Sequence, residues 1–392
     1  MVTVSEAIQL ITNNVKSSAT IKRSPISGAL NCVLVEDVFS PISMPPFRQS
    51  AMDGYAICSH DNMEYTVVGE VAAGSGSNPH LNPGEAVRIF TGAPVPDTAD
   101  RVVIQEKVQR QDNSILLEEP FRLGANIRPV GEQLYKGDTV MAAGMRITPA
   151  GIGLLAGVGV SEVAVATKPR VAIVVTGDEL KAAGESLEHG QIYESNGAML
   201  AAVLSDKGYK DSEVLKAEDD LVVLTNTLQR ALSGADVVLV SGGISVGDYD
   251  FVKTALNDLG VEQVFYKVRQ KPGKPLLFGK KEQKLVFALP GNPASALSCF
   301  YVYVLLALRL WEGDKQASTR FQFAKIESNY HKKGDRAQFL KAKTGIDNTV
   351  AILDGQASSM LQSFAAADAL VFLDEEVSRI EQESLVPYLN IL

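Results

Sequence analysis

The chain has 392 residues, 46% of them hydrophobic and 21% charged, and its formal net charge is −9. This length allows two to four domains with real cores, and the composition excludes wholesale disorder. The acidic balance excludes general nucleic-acid binding, which needs basic surface to neutralise phosphate.

In chain order, the opening MVTVSEAIQLITNNVK reads as an amphipathic helix of a soluble protein and not as a secretion signal. Residues 1–39 and 140–167 share helical character and flank an insert, which predicts one discontinuous linker or dimerisation domain. Residues 40–139 are rich in glycine, proline and short β runs (YTVVGEV, EAVRIF, RVVIQEKVQR, SILLEEP), which predicts a mostly β insert domain.

From residue 168 to 313 the pattern is strand, loop, helix, repeated. RVAIVVTGDEL is a β-branched strand ending in a polar loop. SNGAMLAAVLSDKGY is a helix with Ser195 or Asn196 as its cap, and LVVLTNTLQRAL is a second helix. ADVVLVSGGIS is a strand breaking into glycines, DFVKTALNDLG a helix closing on Gly260, and KLVFALPGNP a strand leading into a long helix from Pro293. Alternation of this kind predicts a multidomain α/β plus β protein with a doubly wound, mostly parallel α/β domain. The apolar run 294–308 is shorter than the ~20 residues of a membrane span, so it is read as a buried helix, with no membrane association and a cytoplasmic location expected. Residues 314–392 return to short strands (FQFAKIES, RAQFLKAK, AILDG, ALVFLDEE), which predicts a small C-terminal β-barrel or sandwich.

In doubly wound sheets, ligands bind beyond the carboxyl ends of the strands. Four loops stand there. TGDEL places Asp178 and Glu179, although Asp178 could equally cap a helix. SGGISVGDYDFVK offers Gly242 and Gly243 for close backbone approach, with Asp248 and Asp250 before the next helix; a plain glycine turn with a helix cap is the alternative. KPGKP fixes Lys271 and Lys274 on a loop stiffened by Pro272, Gly273 and Pro275. Lys267 lies just upstream, and Lys280 and Lys281 continue a basic stretch that alone would read as a solvated face. LPGNP puts Asn292 at an N-cap and Pro293 at N1, pointing N–H groups into the same crevice, though capping alone accounts for it. Cys32, Cys58 and Cys299 are scattered, as are the four histidines, so a His/Cys metal site is not expected; a carboxylate site for a hard cation stays open. Together the loops describe a site for an anionic, phosphate-bearing ligand with a divalent ion.

Six strings occur in order: PPFRQSAMDGYAI, TGAPVP, TGDEL, SGGISVGDYDFVK, KPGKP and LPGNPASA. The chain resembles the MoeA family of molybdopterin molybdenumtransferases, to which the C-terminal part of gephyrin also belongs, over essentially its whole length. The resemblance implies an enzyme that takes adenylated molybdopterin and molybdate, hydrolyses the adenylate with Mg2+, and releases molybdenum cofactor and AMP. It implies a homodimer whose cleft lies between the α/β domain of one subunit and the β insert of the other, and the pterin adenylyltransferase as a further partner. By motif, Asp53, Glu179, Asp250, Lys271 and Lys274 take catalytic positions, with Glu179 and Asp250 as metal ligands. Thr91, Arg128, Asp178, Asp219, Ser241, Gly242, Gly243, Ser245, Lys267, Pro290, Asn292, Pro293, Arg336 and Ser358 take substrate-binding positions. Arg48 and Gln49 replace the family's Asp-Asn pair, a change expected to be peripheral. Gln133 replaces an acidic residue, and an amide can neither act as a base nor serve as an anionic ligand. A scaffold and a nucleotide-binding phosphatase remain competing readings.

Overall fold

The computed structural model describes residues 1–244 and 251–392. Helix α1 (Val4–Asn14) opens with a reciprocal cap: the Thr3 hydroxyl accepts from the Glu6 N–H while the Glu6 carboxylate accepts from the Thr3 N–H. Its Val4, Ala7 and Ile11 are buried in the α/β core. A separate core joins Ala29, Cys32 and Leu34 to Met141, Ile147, Leu155, Val163 and Val165. There, strand Ile21–Pro25 pairs antiparallel with Glu162–Ala166.

The insert is a six-stranded mixed sheet in the order 101–104, 54–57, 85–89, 64–71, 114–117, 108–111. Alternate side chains bury on opposite faces: Ala56, Val87 and Val102 on one, Tyr55, Ile57, Ala86 and Val103 on the other. The run RVVIQEKVQR is two strands, because a 3-10 turn at Gln105–Lys107 breaks it.

The α/β domain contains β1 (Val171–Thr176), α2 (Asn196–Asp206), β2 (Ser212–Ala217), α3 (Leu221–Gly234), β3 (Val237–Ser241), α4 (Phe251–Asp258), β4 (Glu262–Tyr266), β5 (Leu277–Lys281), β6 (Lys284–Leu289) and α5 (Pro293–Trp311). The sheet order is β2-β1-β3-β6-β5-β4, with only β5 antiparallel to its neighbours. Every residue of β1 is buried, as befits a central strand covered on both faces. Val171, Ile173 and Val175 pack toward α1, α2 and α5, while Ala172 and Val174 pack toward α3 and α4. The apolar run is the interior of α5, a core helix whose Phe300, Val302, Tyr303 and Val304 are fully buried. α5 widens into a π-helical turn at Phe300–Val304.

The C-terminal strands β7 (Gln322–Ile326), β8 (Ala337–Thr344), β9 (Thr349–Ile352), β10 (Ala369–Leu373) and β11 (Leu385–Asn390) close a ring in the order β8-β9-β7-β11-β10 and back to β8. It is therefore a barrel and not a sandwich. Gln270 and Lys271 add to its rim, paired parallel with Ala337 and Gln338. At the far end of α5, Arg146 bridges Glu312 (3.1 Å) and Asp314 (3.2 Å), whose carboxylates are wholly buried.

Candidate active site

Strand order reverses between β1 and β3, since β1 leads to β2 on one side while β3 lies on the other. At that switch point a cleft of about 580 Å³ opens, lined by Thr176, Glu179, Ser241, Gly242, Pro290, Asn292 and Pro293 among others. Gly242 has φ +97°, and a Cβ there would lie 2.3 Å from the Thr176 carbonyl oxygen, so only glycine lets the two strand ends approach. Ser245, Asp248 and Asp250 lie outside the described residues.

The acidic loop is held by its own members. The Thr176 hydroxyl donates to Asp219 Oδ1 (2.6 Å), and the Asp219 N–H donates to Asp178 Oδ1 (3.0 Å). Asp178 caps no helix; a short strand, Leu180–Lys181, follows it and pairs with Ile192–Tyr193. Glu179 is exposed, lines the cleft, and its carboxylate makes no hydrogen bond or ion pair among the described residues.

Two expected helix caps behave differently. Ser195 holds the N-cap position of α2 but makes no side-chain cap bond; the Gly197 N–H donates to Glu194 Oε1 instead (2.7 Å). Asn196 has another task, which its reading as a cap missed: its Nδ2 donates to Ser241 Oγ and to the Gly291 carbonyl, both at 2.8 Å, tying the second and fourth loops together. Its position after a strand-like turn, beside the switch point, was the available signal. Asn292 holds the N-cap position and Pro293 N1, but the Asn292 side chain donates to Ser358 Oγ (2.9 Å). The Ala294 N–H donates to the Ser358 carbonyl (3.1 Å), so this N–H is committed to the C-terminal domain and does not point freely into the cleft.

The lysine loop reaches the cleft through Pro275. Lys271 and Lys274 make no ion pair or side-chain hydrogen bond among the described residues, so both ammonium groups are available to an anion. Lys267 has φ +67° and sets its ammonium 4.7 Å from the centre of the Tyr266 ring. Arg336 donates to the Gln270 carbonyl (3.2 Å) and so braces the loop. Lys280 is no free surface lysine, for it donates to Asn14 Oδ1 (3.1 Å).

In the insert, the Thr91 N–H and hydroxyl both donate to Asp53 Oδ1 at 2.7 Å. The N–H first, then the hydroxyl, hold the Asp53 carboxyl below its usual range, with a small addition from Arg88. Arg48 donates to the carbonyls of Pro96, Asp97 and Ala99, and Gln49 donates to that of Gly92. These two departures from the family pattern hold the segment from Gly92 to Ala99, which begins next to Thr91. Arg128 is exposed on a two-residue strand paired with Gln49–Ser50. No hydrogen bond or ion pair among the described residues joins Asp53, Thr91 or Arg128 to the α/β cleft.

Among the described residues no three Asp, Glu, His or Cys side chains converge as a metal cage. What the cleft lining offers is carboxylate oxygen, from Glu179 and from Glu194, whose Oε1 accepts from the Gly197 N–H; Asp178 is not among the lining residues. That donor chemistry fits a hard cation that keeps several waters and shares substrate phosphates.

Residues 2–159 match the MoeA N-terminal region (domain I and II), 172–309 the probable molybdopterin binding domain, and 324–391 the MoeA C-terminal region (domain IV). The chain is 34% identical over 376 residues to the molybdopterin molybdenumtransferase of Haemophilus influenzae, covering 93% of each. It is 35% identical to molybdopterin molybdenumtransferase 2 of Mycobacterium tuberculosis, covering 91% of each. Among solved structures it is similar to a molybdopterin biosynthesis MoeA protein from Pyrococcus horikosii, with a TM-score of 0.77 and 30% identity, covering 100% of this chain and 99% of that one. With the cleft at the switch point, the free lysine pair and this match along the whole chain, the protein belongs to the MoeA family of molybdopterin molybdenumtransferases and is an enzyme of that family.

Proposed function

We propose that the chain inserts molybdate into the dithiolene of adenylated molybdopterin, with water added across the phosphoanhydride to release AMP. The observation that carries this is the pair Lys271 and Lys274, unpaired among the described residues on a stiff loop that reaches, through Pro275, the cleft lined by Glu179. Both substrates are anions. Two ammonium groups carried on a braced backbone favour their approach and stabilise charge that develops as the anhydride opens. Gly242 lets the ends of β1 and β3 come together at the cleft, and Asn196 and Asn292 hold the glycine and proline loops in register with the barrel loop of Ser358. Glu179 with Asp250 would hold Mg2+, which when bound neutralises phosphate charge.

The enzyme works as a cytoplasmic homodimer and receives its substrate from the pterin adenylyltransferase. Asp53 and Thr91 of one subunit, with Arg128, face the α/β cleft of the other. The separate footing of the insert pair supports this arrangement.

The test is reconstitution with adenylated molybdopterin, molybdate and magnesium. Lys271→Ala and Lys274→Ala should each lose charge-assisted hydrogen bonds worth about 1.5–3 kcal/mol, a roughly ten- to 150-fold loss of rate. Melting temperatures should barely move, and Lys281→Ala should behave as the parent. Equal, small effects at all three positions would return the loop to a solvated face. Full turnover in excess EDTA would remove the metal from the reading.

A further inference from the structure

Exposed Lys271 and half-buried Lys274 stand on a buried polar residue that no motif contains. Gln270, immediately before the loop, is 0% exposed. Its Nε2 donates to the carbonyls of Pro272 (3.0 Å) and Gly273 (3.3 Å), and lies 3.6 Å from Cys299 Sγ. Its Oε1 accepts from the Tyr303 hydroxyl. Its main-chain carbonyl accepts from Arg336, and its N–H donates to the Val268 carbonyl. One carboxamide thus draws inward both carbonyls that lie between Lys271 and Lys274.

The seat is tight. Gly273 has φ +82°, and a Cβ there would lie 2.7 Å from Cys299 Sγ and 2.9 Å from Gln270 Nε2. Tyr303 is also fully buried and belongs to the widened turn Phe300–Val304 of α5. A π-turn shifts the register of side chains around a helix axis and is frequent at functional sites. Here it belongs to the helix whose first residues, Asn292 and Pro293, line the cleft. The same rod therefore supports the proline–glycine loop at its start and the lysine loop about three turns on.

We infer that Gln270, held by Tyr303, is a positioning residue for the reaction: it sets the spacing of the Lys271 and Lys274 ammonium groups, and so the affinity for the tetrahedral oxyanion. This rests on the lysine loop binding that anion. A carboxamide is required because the two loop carbonyls need a donor and the phenol needs an acceptor, which no other neutral side chain of this length supplies. Glutamate at 270 keeps the shape but turns an acceptor toward two carbonyls. Phenylalanine at 303 removes only the phenolic O–H and leaves Oε1 without it.

The experiment measures inorganic molybdate binding by isothermal titration to the full-length protein, with melting temperature and steady-state kinetics, for Gln270→Glu, Tyr303→Phe, Lys271→Ala and Lys281→Ala. Gln270→Glu should weaken molybdate binding about tenfold and raise KM for molybdate similarly, with kcat changed less than threefold. Tyr303→Phe should move affinity the same way by about threefold, and Lys281→Ala should match the parent. Lower melting temperatures with parental affinity in both variants would overturn the inference, leaving Gln270 a structural residue. If Gln270→Glu does not fold, Tyr303→Phe decides alone, and parental affinity there overturns it. Loss of binding in Lys271→Ala with none in the two positioning variants sinks this inference only; unchanged binding in Lys271→Ala sinks the reading of the loop on which it rests.

Discussion

Asp53 shows how one neighbour can set a carboxylate's charge state. Both donors of Thr91 converge on a single oxygen, so the ionised form is favoured although the group is exposed. Thr91→Val keeps the N–H and the shape and removes the hydroxyl. The carboxyl should then titrate at higher pH than in the parent, yet still below an ordinary aspartate because the N–H remains. The folded value is the depressed one, so the associated stabilisation is present above the unfolded value and fades as pH falls through the folded one. Selective 13C labelling of aspartate side chains reads this directly; a titration curve identical to the parent would show that the hydroxyl does not contribute. Asp53 and Thr91 were legible in sequence only by motif, because nothing in composition or periodicity places residue 91 beside residue 53. Arg48 and Gln49 show the converse: a departure from the motif looked incidental, and only the fold reveals that their donors end on the loop that carries Thr91.

The strands and helices around the cleft were the most legible elements, for a physical reason. β1 and β3 are wholly buried, mostly β-branched runs because both faces are covered, and each is followed by glycine where chains must approach. Strand Gly54–Ile57 hid inside a motif, and Leu385–Asn390 carries a proline, so neither showed a clean alternation. The two glycines at the cleft offer a paired test. Gly242→Ala meets the Thr176 carbonyl and a left-handed φ, and should cost about 1–3 kcal/mol, seen as a lowered melting temperature. Gly291→Ala meets nothing nearer than Gly242 Cα at 3.7 Å and should melt within about 0.5 kcal/mol of the parent. Equal melting of the two variants would mean that β1 and β3 can separate at their ends without loss.

At the scale of the whole molecule, the insert pair and the α/β cleft stand on different sheets. If each site is completed by two subunits, mixing Asp53→Ala with Glu179→Ala chains should restore about a quarter of parental activity, because half of randomly formed dimers carry one intact site of two. Mixed dimers that demonstrably form and stay inactive would rule the shared site out. Arg146, with the buried carboxylates of Glu312 and Asp314, makes the end of α5 a fixed joint, since removing Arg146 would leave the Glu312 carboxylate away from water without its counter-charge, while Asp314 keeps Arg309. The segment around the lysines is stitched more widely still. The Val2 N–H donates to the Lys267 carbonyl, the Arg269 N–H to the Val2 carbonyl, and the Ala337 N–H to the Arg269 carbonyl. An excised α/β fragment of residues 168–313 would keep both lysines and Glu179, yet lose the strands on either side that tell the loop where to lie. The candidate site is thus not a cassette that can be cut out or transplanted at domain borders, and any fusion, truncation or graft near residue 2 or residue 337 amounts to an edit of the lysine loop.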